Sequence, residues 1–142
     1  MIPLIEMQKV GIFKPLSEEM LEELASIGNI TTARKGEYLF HDGDPAAYFY
    51  IIKEGKVVLE FVQPDGSINT ETVSPGMGVG CSSLAGLSQY TAHARCEEES
   101  RFLHWPQSGL RELFNKNNRL GYLLIKASSK MLSKRIAGKL HK

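Results

Sequence analysis

Gly78-Val79-Gly80-Cys81-Ser82-Ser83-Leu84, followed by Tyr90-Thr91-Ala92-His93-Ala94-Arg95-Cys96, is the stretch of this chain whose residue types and spacing could do chemistry. Glycines flank a turn that opens a short helix. A polar loop follows, and then a strand that starts with small and hydroxylated residues. A helix start presents N–H groups with no intrahelical partner and the positive end of the helix dipole, which suits an anion. Gly80, Ser82, Ser83 and Thr91 would make the cradle, with Cys81 and Tyr90 at its edges. The loop carries no arginine or lysine, and no carboxylate stands at the turn. A cradle built for charge thus lacks the charged side chains that usually complete one.

Other chemistries find less support. His41, His93, His104 and His141 are dispersed, with no His-x-His pair to hold a metal as a cupin enzyme would. Cys81 and Cys96 form neither a CxxC nor a zinc spacing, and are read as free thiols in a reducing cytoplasm. Together with His93 they are the only support for a redox or haem sensor. A lone strand histidine is more often structural, and small thiols fill buried space. The run Glu97-Glu98-Glu99 reads as a solvated loop. No nucleophile–base pair is evident by spacing, so no catalytic residue, metal or cofactor is expected and the chain is not read as an enzyme.

The elements that must position the cradle follow from patterning. Ser17 can cap a helix over about 17–28, with Glu18 and Glu19 in the first turn and Met20, Leu21, Leu24 and Ile27 at helical spacing before Gly28-Asn29. From about 31 to 105 short strands alternate with glycine turns. They include 38–40, 48–53, 57–62, 68–73, 91–96 and 101–105, with 48–53 and 57–62 read as a hairpin about Glu54-Gly55. Val57, Leu59 and Phe61 should share one face. Arg95, an odd number of residues from Tyr90, should face away from it. Strands at this density suggest an α+β chain with a barrel-like or jelly-roll sheet.

Helix returns at about 108–140, where Ser108 caps a short helix and Asn115–Asn118 break it. In the last helix Leu120, Leu124, Ala127 and Met131 make one apolar stripe, and Ile125, Leu132, Ile136 and Leu140 a second. One stripe suffices for core packing, so the surplus predicts a homodimer through this helix.

With 142 residues and a net charge of +1, the chain reads as one domain, 1–142, with no global field favouring nucleic acid or anionic membrane. The N-terminus has no basic start and long apolar run of the secretory kind, and no stretch approaches the ~20 apolar residues of a membrane span. A cytoplasmic protein is expected.

Lys35-Gly36-Glu37-Tyr38-Leu39-Phe40-His41-Asp42-Gly43-Asp44 and Phe49-Tyr50-Ile51-Ile52-Lys53-Glu54-Gly55-Lys56-Val57 resemble two glycine-turn segments of the cyclic nucleotide-binding domain family, and Phe13-Lys14-Pro15-Leu16-Ser17 resembles its entry into the first helix. The resemblance covers nearly the whole chain. It implies a double-stranded β-helix flanked by an N-terminal and a long C-terminal helix, and a regulatory sensor for a small molecule such as a cyclic nucleotide.

In that family's cassette a glutamate accepts from the ribose 2′-hydroxyl and an arginine pairs with the cyclic phosphate. Val79, Gly80, Leu84, Thr91 and Ala92 match its pattern, whereas Cys81 stands at the glutamate and Tyr90 at the arginine. The resemblance also implies that the last helix closes on the base, with Ser128, Ser129 and Arg135 as polar candidates. Only a few residues follow Leu140, leaving no room for the helix-turn-helix that some members carry. DNA binding by this chain alone is therefore not expected, and the basic run Lys130, Lys134, Arg135, Lys139 and Lys142 is read as favouring the helix dipole and solubility. Two readings remain: a sensor that signals through its last helix to a dimer mate or partner protein, with weakened or altered nucleotide affinity, and a ligand-blind dimerisation scaffold with a relic pocket.

Overall fold

Alternation along two central strands builds the molecule. In the computed structural model, which describes residues 1–140 and side chains through Gly138, β3 (Tyr48–Glu54) turns Phe49 and Ile51 to one side and Tyr50 and Ile52 to the other. β8 (Ser100–Pro106) does the same with Leu103 and Trp105 against Phe102. Both faces of these strands are covered, which is why the sequence there is a continuous apolar run rather than an alternating one.

The remaining strands are β1 (Asn29–Ala33), β2 (Tyr38–Phe40), β4 (Val57–Val62), β5 (Ile68–Val73), β6 (Gly78–Val79) and β7 (His93–Cys96). They complete two four-stranded antiparallel sheets, β1-β8-β3-β6 and β2-β7-β4-β5. The sheets face each other as a jelly-roll over a core of Phe40, Tyr50, Ile52, Val57, Val79, Tyr90, Cys96 and Phe102.

Helices close the other face of the first sheet. They are α1 (Leu4–Met7), α2 (Glu18–Ser26), α4 (Gln107–Lys116) and α5 (Asn118–Leu140), with α3 (Cys81–Leu84) set in the cassette. Phe13, Leu24, Leu110, Leu120 and Leu124 pack with Trp105 and Phe49 into a second core. The α+β, jelly-roll architecture with a long C-terminal helix is therefore as expected. Ser17 caps α2 as read, its Oγ accepting from the Met20 N–H at 3.2 Å.

Three local expectations are corrected. Glu54-Gly55 does not close a hairpin. β3 pairs with β8 and β6, β4 pairs with β5 and β7, and the chain crosses between sheets at this corner. Gly55 has φ +103°, and a Cβ there would lie 2.7 Å from the Ser100 Cα, so the corner needs glycine on two counts. Ser108 is not a cap: α4 begins at Gln107 after Pro106, which has no side-chain cap bond and offers instead a ring preset for a helix start. The break placed at 115–118 narrows to Asn117, whose Oδ1 accepts from the Leu120 N–H at 3.1 Å and so caps α5. Leu140, Lys139, His141 and Lys142 lie outside the residues whose side chains are described.

Candidate functional site

Gly80 adopts φ +76°, and a Cβ added to it would lie 2.9 Å from the Tyr48 carbonyl oxygen and 3.1 Å from the Tyr90 ring. This residue lets the chain leave β6 and enter α3 tightly against β3. The four-residue helix then sets Cys81 and Ser82 along a cavity of about 490 Å³. The α4 residue Gln107 anchors the loop beyond it, its Nε2 donating to the Ser83 and Leu87 carbonyls at 3.2 and 2.8 Å. The volume is that of an ordinary small-molecule site.

The sequence-predicted residues divide. Gly80, Cys81, Ser82, Tyr90 and Thr91 line the cavity together, and Arg135 reaches it from α5. Ser83 and Ser128 do not line it. Both are buried in the packing around α3 and α5, with hydroxyls that have no hydrogen-bond partner among the described residues. Ser129 is exposed. Arg95 points elsewhere, to Glu60 at 3.5 Å; the strand expected over 91–96 starts only at His93, so Tyr90 and Arg95 do not share one.

Tyr90 is 4% exposed and serves the cavity through its ring alone. The ring stacks on Phe40 with centroids 3.6 Å apart and planes within 9°. The hydroxyl donates to the Tyr48 carbonyl at 2.5 Å and accepts from the Tyr48 N–H at 2.9 Å. Burial pushes this phenol further up from its ordinary pKa, so it stays protonated. The single donor it could have offered a phosphate is already engaged.

Two features of the cavity lie outside the cassette. Phe40, Leu59, Phe61, Leu132 and Ile136 give it apolar walls. Glu71 of β5 accepts from the Arg135 Nε at 2.7 Å, with the two side chains 18% and 14% exposed. Sequence reading considered Arg135 but missed Glu71. The partners stand 64 residues apart, and nothing local to Thr70-Glu71-Thr72 marks the carboxylate as inward-facing. The shared face of Val57, Leu59 and Phe61 and the second stripe of α5 were the available signals for the walls.

Cys81 lines the same cavity, and burial pushes its thiol up, only partly opposed by Arg135, so it is neutral at pH 7. Cys96 is buried in the inter-sheet core, and both cysteines are free. Among the described residues no group of three or more His, Cys, Asp or Glu side chains could hold a metal ion. No described helix is long and apolar enough to cross a membrane.

The family model described as cyclic nucleotide-binding domain matches residues 30–117, which takes in both sheets, the cassette and α4. The chain belongs to the cyclic nucleotide-binding domain family. Among solved structures this cyclic nucleotide-binding domain is similar to a putative cyclic nucleotide-binding protein of Geobacter metallireducens, with 26% identity, 96% of this chain and 99% of that one covered, and a TM-score of 0.86. It is also similar to the N-terminal domain of a transcriptional regulator of Streptomyces coelicolor, with 28% identity, 94% of each chain and a TM-score of 0.72. The regulatory domain of Toxoplasma gondii PKA, solved with cAMP, shares the fold at 17% identity and a TM-score of 0.76, with 89% of this chain and 48% of that one covered. Among curated proteins, the neuropathy target esterase sws of Drosophila mojavensis is 28% identical over 78% of this chain. The chain spans 8% of that protein's length, so the likeness concerns a domain-sized stretch.

A second polar feature sits across the first sheet. His104 packs against the rings of both Tyr48 and Tyr50, at centroid distances of 5.0 and 5.9 Å, and burial lowers its pKa from the usual histidine value. The unfolded chain therefore binds a proton that the folded chain resists. Stability from this site is full above the unfolded pKa of about 6.5 and falls as pH drops toward the lower folded value. Urea unfolding at pH 7.5, 6.5 and 5.5 should show wild type losing stability on acidification relative to His104→Phe. Parallel curves for the two proteins would remove His104 as the cause.

Proposed function

We propose that this cyclic nucleotide-binding domain is a regulatory small-ligand sensor that signals through α5 and whose affinity for cyclic nucleotides is weakened. The observation that carries this is a shared wall. The cavity has Gly80 and Ser82 of the cassette on one side and Leu132, Arg135 and Ile136 of α5 on the other. A ligand that prefers one placement of α5 shifts the population toward it, and the helix carries that shift to whatever it touches.

The weakening follows from Cys81 and Tyr90. A neutral thiol cannot replace a carboxylate acceptor, and the Tyr90 hydroxyl is held by Tyr48. Each missing charge-assisted bond is worth roughly 1.5–3 kcal/mol, so losing both should weaken binding about 10²–10⁴-fold. Calorimetry with cyclic AMP and cyclic GMP should give binding no tighter than about 0.1 mM. Micromolar affinity would overturn the weakening and make the domain an ordinary cyclic nucleotide sensor.

The signal needs a recipient. Tyr122 and Ile125 are 59% and 39% exposed on α5, away from the cavity, and Ser129 continues their three–four spacing. A second copy packed helix to helix would cover them. Sedimentation equilibrium should find a dimer that Ile125→Lys weakens, and a wild-type monomer at 100 μM would send the signal to a partner protein instead. The unpaired thiols fit a reducing cytoplasm.

One observation favours the ligand-blind scaffold as a second reading. Tyr90 is packed as a core residue, with its ring and hydroxyl both satisfied within the protein. Absence of binding by every small molecule tested, with dimerisation intact, would select it.

A further inference from the structure

We propose that the cavity between the cassette and α5 takes an uncharged, predominantly apolar small molecule, and that Glu71 sets this selectivity by holding Arg135. The proposal rests on the sensor reading and names the ligand class of that site.

The walls argue first. Phe40, Leu59, Phe61, Leu132 and Ile136 present only hydrocarbon, and Tyr90 presents only its ring because Tyr48 engages its hydroxyl. A ribose and a cyclic phosphate brought against these surfaces would lose water without recovering hydrogen bonds. An apolar body loses nothing by the same transfer and gains by it.

Charge argues second. Among the described residues Arg135 is the only lysine or arginine along the cavity, and its Nε already donates to Glu71 at 2.7 Å. The two charges cancel locally, and the Cys81 thiol is neutral beside them. An anion approaching Arg135 also meets the field of the Glu71 carboxylate 2.7 Å from its Nε, so repulsion opposes attraction while the desolvation of the anion is not offset. Breaking the pair to free Arg135 would take a charged partner from a carboxylate that is 18% exposed. An uncharged molecule with one acceptor atom avoids both costs. The Nη1 and Nη2 groups of Arg135 have no other hydrogen bond among the described residues and could donate to it with the pair intact.

The test uses two fluorescent probes that share one ring system: uncharged N-phenyl-1-naphthylamine and anionic 8-anilinonaphthalene-1-sulfonate. Both are titrated into the full chain, with cyclic AMP as a competitor. The uncharged probe should bind wild type at least about tenfold tighter than the sulfonate. Glu71→Gln keeps the shape and releases Arg135, so the sulfonate should gain about tenfold or more while the uncharged probe changes less than about twofold. Glu71→Gln/Arg135→Gln should lose that gain, which separates it from a loosened fold, and near-ultraviolet circular dichroism checks that each variant stays packed.

Equal or tighter sulfonate binding by wild type would overturn the proposal, as would a probe ratio that Glu71→Gln leaves unchanged. Cyclic AMP displacing the uncharged probe at micromolar concentration would overturn it while leaving the sensor reading standing. Binding of none of the three would overturn it together with the sensor reading.

Discussion

Trp105→Ala should lower the free energy of unfolding by about 3–5 kcal/mol, the range for deleting a fully buried large aromatic. Trp105 is 0% exposed and holds the helical layer to the first sheet. Its ring meets Phe13 edge-on at 5.6 Å and lies nearly parallel to Phe49 at 6.0 Å. Its Nε1–H donates at 2.9 Å to the Leu24 carbonyl at the end of α2, which also accepts from the Ile27 N–H at 3.3 Å. Truncation opens a cavity and removes that hydrogen bond, two losses that add. Domains of this size are stable by about 5–15 kcal/mol in all, so the variant should sit near its folding limit at 37 °C. Urea unfolding followed by far-ultraviolet circular dichroism reads the effect, and Trp105→Phe should recover most of the packing but not the hydrogen bond. A cost below about 1.5 kcal/mol would mean that the helical layer collapses into the vacated space, and that Trp105 does not tie the layers.

The contact between Trp105 and Gly28 also bears on what the sequence disclosed. Gly28 marked the end of α2 in the sequence. Its role in the fold is space: a Cβ there would lie 2.5 Å from the Trp105 Nε1 and 2.4 Å from the Ile2 Cδ1. The residue was legible as punctuation, but the reason for it lay 77 positions away. The same division runs through the chain. Turn glycines, the capped α2 and the apolar run of β3 are local signals, and they sufficed for the jelly-roll and the position of the cassette. α1 and the turn at Gly11–Phe13 are too short to show a period, so the N-terminal segment carried no sign that it would cover Trp105. Glu54-Gly55 has the composition of a hairpin turn, and only the pairing of β3 with β8 rather than β4 makes it a corner. The Glu71–Arg135 pair is a tertiary fact with no local trace. Tyr90 was legible as a departure from the family pattern, but the engagement of its hydroxyl by Tyr48 was not.

Cys81→Glu/Tyr90→Arg should raise the affinity for cyclic AMP by about 10²–10⁴-fold over wild type, restoring the two charge-assisted contacts that the cassette lacks. The positions suit the exchange, since both line the cavity that Gly80 opens. A glutamate at 81 would enter the field of Arg135, which already acts on the Cys81 thiol and would hold the new carboxylate ionised. An arginine at 90 can keep the donation to the Tyr48 carbonyl and lie over the Phe40 ring, but it leaves the Tyr48 N–H without its acceptor. That stranded donor should cost about 1–3 kcal/mol, so Tyr90→Arg alone is expected to melt earlier than wild type in the absence of ligand. Added cyclic AMP should return part of this loss in the double variant and none in Cys81→Glu. Calorimetry and thermal unfolding on the same samples separate the two effects. A double variant that is folded but binds no better than wild type would show that the apolar walls from Phe61, Leu132 and Ile136, rather than the missing charges, exclude the nucleotide. In that event Leu132→Ala, added to the double variant, is the change that should admit it.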